Sequence, residues 1–196
     1  MSTTTPTPAP IDESTEPAQY TRLSRILHWA TAFLIFSTLL IGFTMVSTVG
    51  DYGQLLALHE TIGVLILIVV VVRIVNRLTH RPPALPGTVG KIERLGALGS
   101  ELTLYGLLIA QPLVGWAMVS ASGTPVVLFG TIHLFGIAPV DTGLYSILRD
   151  VHSVVAYLFV AVIAAHVSAI LVHTVTLEDG MLRRMTFRRK KSPSDQ

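Results

Sequence analysis

The sequence predicts an all-α protein, a four-helix transmembrane bundle with both termini cytoplasmic. Three observations lead there. Only 13% of the 196 residues are charged and 51% are hydrophobic, against a charged share of about 25% in soluble domains. Four stretches carry the roughly 20 apolar residues needed to cross the ~30 Å hydrocarbon layer of a bilayer. The basic residues are distributed unevenly around those stretches, and that asymmetry sets the orientation.

The predicted spans are 26–47, 55–75, 98–119 and 151–173. The second contains LILIVVVV, which in a soluble protein would suggest a buried strand. Its total length, and the basic stop at Arg73 and Arg77, favour a membrane helix. Pro112 falls inside the third span, where membrane helices tolerate proline. Arg22 and Arg25 precede span one. Arg73, Arg77, Arg81, Lys91 and Arg94 sit at or after the end of span two. Arg183, Arg184, Arg188, Arg189, Lys190 and Lys191 follow span four. Among Lys and Arg, only Arg149 lies elsewhere, in the long connection 120–150. Positive charge stays inside, so the termini and the 76–97 loop are expected in the cytoplasm. The calculated pI of 9.2 therefore fits a membrane surface and not a nucleic-acid partner.

Three regions are expected: a disordered Thr/Pro-rich tail over 1–19, the membrane domain over 20–185 and a basic cytoplasmic tail over 186–196. The first tail lacks the basic start, apolar run and cleavage pattern of a signal peptide. The 120–150 connection is long and fairly apolar, as a cap or functional loop would be. The sequence leaves open whether it contains a short interfacial helix.

Cysteine is absent, which removes disulfides, thiolate metal sites and covalent haem attachment. A metal centre in this chain must rest on His, Met or carboxylate. Of the seven histidines, His28, His59, His152, His166 and His173 lie in or at the spans. An isolated intramembrane His can be an interhelical hydrogen-bonding group, but ionisable residues in spans are rare and default to function. His152 and His166 are fourteen residues apart, so they share a helix face and differ in height by about 21 Å. His59 stands near the outer mouth of span two and His28 near the inner mouth of span one. Pairing by depth gives His59 with His152 on the outer side and His28 with His166 on the inner side. Two imidazoles on one iron make a low-spin electron-transfer haem, so the pattern suits two b-type haems.

His173 is also near the His166 face, about 10 Å deeper. It is an alternative inner ligand. His166 is preferred because a ligand within the bundle is shielded from water, which leaves His173, nearer the cytoplasmic edge, to meet a quinone headgroup. Arg73 and Arg77 share a face. They serve either as a stop-transfer signal that snorkels to the headgroups or as partners of a haem propionate or quinone oxygen. Arg149, one turn before His152, suits an outer propionate or attraction of an anionic donor. Glu60, beside His59, either orients that imidazole or faces water. His80 and His133 read as solvated, and Asp141 and Asp150 carry no specific argument.

The residues then show a resemblance. YTRLSRILHW, LHETIG, VVRIVNRL, QPLVGWAM, the VH…AAH spacing and LRRM together resemble the bacterial cytochrome b561 family over about residues 20–185. The resemblance implies an inner-membrane protein with two non-covalent b haems that exchanges electrons with quinone. Some members take an electron from superoxide on the outer side and reduce ubiquinone. It carries the ligand role to His28, His59, His152 and His166, the basic position before the span-four ligand to Arg149, and the histidine beyond the inner ligand to His173. Ser100 stands where some relatives would have His. The competing reading is a haem-bearing subunit serving a partner enzyme such as a hydrogenase or dehydrogenase.

Overall fold

The computed structural model describes residues 19–47, 50–80, 83, 90–176 and 181–186. The Thr/Pro-rich tail up to residue 18, most of the Pro-rich turn after His80 and the basic tail from residue 187 lie outside the described residues. Four helices form: α1 (Arg22–Ser47), α2 (Tyr52–Thr79), α3 (Lys91–Ala121) and α4 (Thr142–Val175). All four are long and apolar enough to cross a membrane. Their outward faces carry large apolar side chains, such as Phe33 (72% exposed) and Val46 (87% exposed). Such faces suit lipid and not water.

The starts of α3 and α4 are each marked by a local device. Gly90 and Glu93 begin α3, the Glu93 carboxylate accepting the Gly90 N–H at 2.9 Å. Pro112 lies within α3, which continues past it to Ala121. Asp141 caps α4, its carboxylate accepting the Leu144 N–H at 2.7 Å. This cap starts α4 nine residues before the apolar span begins. At 34 residues, α4 is about 51 Å long, well beyond the hydrocarbon thickness. Arg149 is thereby in the helix and not in the connection.

The shortened connection holds a β-hairpin in place of an interfacial helix. Strands β1 (Val127–Leu128) and β2 (Ile132–His133) pair antiparallel. Phe129 (φ 51°) and Gly130 (φ 72°) form the turn, closed by Thr131 N–H to Leu128 O at 3.1 Å. Two consecutive positive φ values match the twist of the flanking strands. Leu128 and Val126 are buried with Val119, and Val64 of α2 and Trp116 of α3 pack against them. The Glu60 carboxyl also takes a hydrogen bond from the Val127 N–H. The hairpin thus lies on the mouth of α2, beside His59.

At the opposite end, a single 3-10 turn (Met181–Arg184) folds back onto the bundle. The Tyr20 N–H meets Arg184 O, Trp29 Nε1 donates to Met185 O at 3.0 Å, and Arg25 donates to Thr186 O at 2.9 Å. Arg184, 5% exposed, donates to Pro83 O at 3.1 Å. The chain's two described ends and the α2–α3 connection therefore share one end of the bundle.

Helix packing is uneven. α1 lies on α2, α3 on α4, and a smaller contact joins α2 to α3; among the described residues no comparable backbone contact joins α4 to α1 or α2. Only a mid-height layer, with Ile35, Ile66, Val70, Leu108 and Phe159 at its centre, closes the middle of the bundle. Phe159 is seven residues from both His152 and His166, so this dry layer separates two histidine levels.

The Asp141 cap gives a direct check. Asp141→Ala is expected to cost about 1 kcal/mol, seen as faster hydrogen exchange over the first turns of α4, with exchange at 160–170 unchanged.

Candidate cofactor-binding site

Two histidine clusters lie between the helix pairs. At the hairpin end, His59 of α2 and His152 of α4 face each other with ring centroids 6.2 Å apart and planes at 73°. Metal–imidazole bonds of about 2 Å place two rings on one metal at a centroid separation of about 6 Å. His59 uses Nδ1 on Thr38 Oγ1 of α1 at 3.3 Å. The Gln111 amide nitrogen of α3 meets His152 Nε2 at 3.2 Å and the His152 carbonyl at 3.1 Å. Both His152 Nδ1 and Gln111 Oε1 are buried without a hydrogen-bond partner. Orphaned buried polar atoms of this kind require an explanation such as a bound group.

Two glycines let these rings lie where they do. A Cβ on Gly42 would stand 3.2 Å from His59 Cε1, and one on Gly115 would stand 3.1 Å from His152 Cε1. The device is repeated on two helices: Thr38 with Gly42 on α1, and Gln111 with Gly115 on α3. In each, a polar side chain orients the neighbouring helix's imidazole and a glycine four residues later accommodates its ring. Holding a ligand ring through its surroundings is how proteins orient metal-binding histidines.

At the other end, His28 of α1 and His166 of α4 lie within electrostatic reach of each other and of Arg73. The Arg73 Nη2 is 3.1 Å from His28 Nδ1. Its Nε donates to the Tyr105 hydroxyl at 3.0 Å, and its guanidinium carbon is 5.3 Å from the Tyr105 ring centroid. Ser100 Oγ is 3.5 Å from His166 Nδ1. Arg77 is held instead by Glu101, in a two-pronged ion pair at 2.7 and 2.9 Å.

The remaining sequence-predicted residues are dispersed. His173 is half-buried in the last turn of α4, and Arg149 is exposed one turn before His152. His80 forms the exposed C-cap of α2. His133 is exposed in β2. The sequence reading missed Thr38, Gly42, Tyr105, Gln111 and Gly115. The repeated spacing of a polar residue followed four positions later by glycine was the available signal.

With this geometry established, comparison with known proteins gives the family. Residues 19–188 match the model of prokaryotic cytochrome b561. The chain belongs to this family. The family comprises haem b-binding membrane electron-transfer proteins, and the chain is a multi-pass protein of the bacterial inner membrane. It is 31% identical over 117 residues to "Cytochrome b561 homolog 2" of Escherichia coli (strain K12), covering 58% of this chain and 62% of that relative. It is 30% identical over 129 residues to "Probable superoxide oxidase CybB" of Yersinia pestis, covering 65% and 72%. "Cytochrome b561 homolog 1" of Escherichia coli (strain K12) is 22% identical over 178 residues, covering 88% and 99%.

The residues fit the family's cofactor, since paired imidazoles from different helices, an unspent ring nitrogen and glycine-made room are what a bis-imidazole haem requires. Gly115→Ala is expected to displace the His152 ring and lower haem content by at least half, read from the Soret absorbance per chain. Gly63→Ala, whose added Cβ would meet no side chain and no neighbouring helix within 4 Å, should retain the wild-type spectrum.

Proposed function

We propose that this protein carries electrons across the inner membrane from superoxide on the outer side to ubiquinone, through two haems b. His59 and His152 hold the outer haem, and His28 and His166 hold the inner one. The observation that carries the reading is the apposition of His59 and His152, with a second histidine cluster one bundle level away. The similarity to a relative named a probable superoxide oxidase supports the donor. The excess of basic residues at the end carrying Tyr20, Pro83 and Arg184 supports its placement in the cytoplasm.

When bound, the haems supply reversible one-electron storage at two heights in the bilayer. The chain's own residues do the rest. Thr38 and Gln111 fix the outer imidazoles. The mid-height layer around Phe159 excludes water between the two levels. Arg149 offers the hairpin end a positive charge for an approaching anion. Arg73 supplies donors at the inner cluster, and His173 a ring nitrogen at its edge for the quinone oxygen. Two superoxide anions yield two dioxygen molecules and two electrons; with two protons these reduce one quinone to quinol.

A second reading, a cytochrome subunit for a partner redox enzyme, is favoured by one observation. Arg149 is the lone Lys or Arg in the segment 95–182, while Phe129 and Ile132 on the hairpin and Phe135 just after it are exposed. An apolar surface of that kind also suits a protein partner.

Reduced-minus-oxidised spectra of single His→Ala variants test the ligand set. Changing His28, His59, His152 or His166 should each remove one haem. His173→Ala should keep both haems and slow quinone reduction about tenfold or more. Loss of a haem from His173→Ala, with two retained in His166→Ala, reverses the inner assignment. Superoxide consumption that quinone does not accelerate removes the superoxide donor and favours the subunit reading.

A further inference from the structure

The two clusters differ in charge, and the difference has a direction. At the hairpin end, the side chains on the imidazoles are Thr38 and Gln111, both neutral. The neighbouring ionisable group is the Glu60 carboxyl, turned to the Val127 N–H. Arg149 is nearby in sequence but exposed and followed by Asp150, so solvent screens it. At the other end, Arg73 lies between α1, α3 and α4, half-buried, with His28 and Tyr105 as its partners. It is within electrostatic reach of both His28 and His166. Arg77 adds little net charge there because Glu101 neutralises it.

A guanidinium does not deprotonate in proteins and has donors only. His28 Nδ1 therefore accepts from Arg73. A metal on Nε2 would put the ring proton on Nδ1 and turn the Arg73 Nη2 away from it. The Tyr105 hydroxyl, bonded to Nε, would still hold the guanidinium at the cluster. Fixed positive charge in a low-dielectric site favours whichever state of a neighbouring redox centre carries one more electron.

Resting on the dihaem reading above, we infer that Arg73 is a positioning residue for electron flow. It raises the potential of the inner centre above that of the outer one, so that electrons run downhill from the hairpin end to the Arg73 end. The asymmetry belongs to the chain itself, and so does the direction, whichever molecule donates on the outer side.

Redox titration of full-length protein in lipid nanodiscs tests this. His152→Ala retains the inner centre alone and His28→Ala the outer centre alone, which assigns the two potentials. The inner centre should be the higher. Adding Arg73→Gln should lower the inner centre's reduced-to-oxidised ratio about tenfold or more at fixed ambient potential (about 59 mV for one electron). The outer centre should not move, and Arg73→Lys, which keeps the charge, should restore the ratio to within about threefold of the wild type. An inner potential at or below the outer one overturns the inference, as does an equal shift of both centres or no shift in Arg73→Gln. If Arg73→Gln fails to retain the inner centre, the order of the two potentials decides. A wild-type protein with no haem spectrum, by contrast, defeats the dihaem reading on which the inference rests.

Discussion

The structure depends on one constraint: imidazoles from separate helices must meet across a space that backbone packing leaves open. α1 and α2 pack as one pair and α3 and α4 as another, joined through α2 and α3. The histidines project into the interval between the pairs. In hydrocarbon, an unsatisfied polar group is costly, so each ring is anchored by a side chain from an adjacent helix. Thr38 holds His59, Gln111 holds His152, Arg73 holds His28 and Ser100 approaches His166. These anchors tie the rings to helices other than those that carry them. Ring position and bundle assembly are therefore one problem and not two.

The two levels solve that problem with different chemistry. The hairpin-end level relies on neutral polar side chains and on glycine notches, which set ring orientation by shape. The other level brings a guanidinium and a phenol into the bundle. Between them lies an apolar layer with Val70 fully buried and Phe159 nearly so. The hairpin packs at one end of the bundle and the 3-10 turn through Arg184 at the other. This fits a protein whose family moves electrons within a membrane.

Much of the fold was legible because membrane spans are written in length and hydropathy, which survive any detail of packing. The four spans fall within α1, α2, α3 and α4. Their boundaries were less legible. The start of α4 is decided by a single capping carboxylate at Asp141 and extends the helix beyond the apolar run. The hairpin was hidden because its turn uses Phe129 at positive φ, where Asn or Gly is the usual signal. The two levels marked by His152 and His166 were legible from the fourteen-residue spacing of those two on one helix face. Their anchors were not, since Thr38, Gln111 and Tyr105 read as ordinary polar residues in a span until the neighbouring helix is placed. Arg77 was open between the headgroups and a cofactor, and its engagement with Glu101 could not be seen without the α2–α3 contact.

On the reading proposed above, the interval between the helix pairs holds two bis-imidazole haems. The most direct measurement is the number of haems per chain in protein purified from membranes, by pyridine haemochrome against quantitative amino-acid analysis, with low-temperature electron paramagnetic resonance for the ligands. Two haems b per chain are expected, each low-spin with two imidazoles. One haem per chain, or a high-spin signal from a five-coordinate iron, contradicts it.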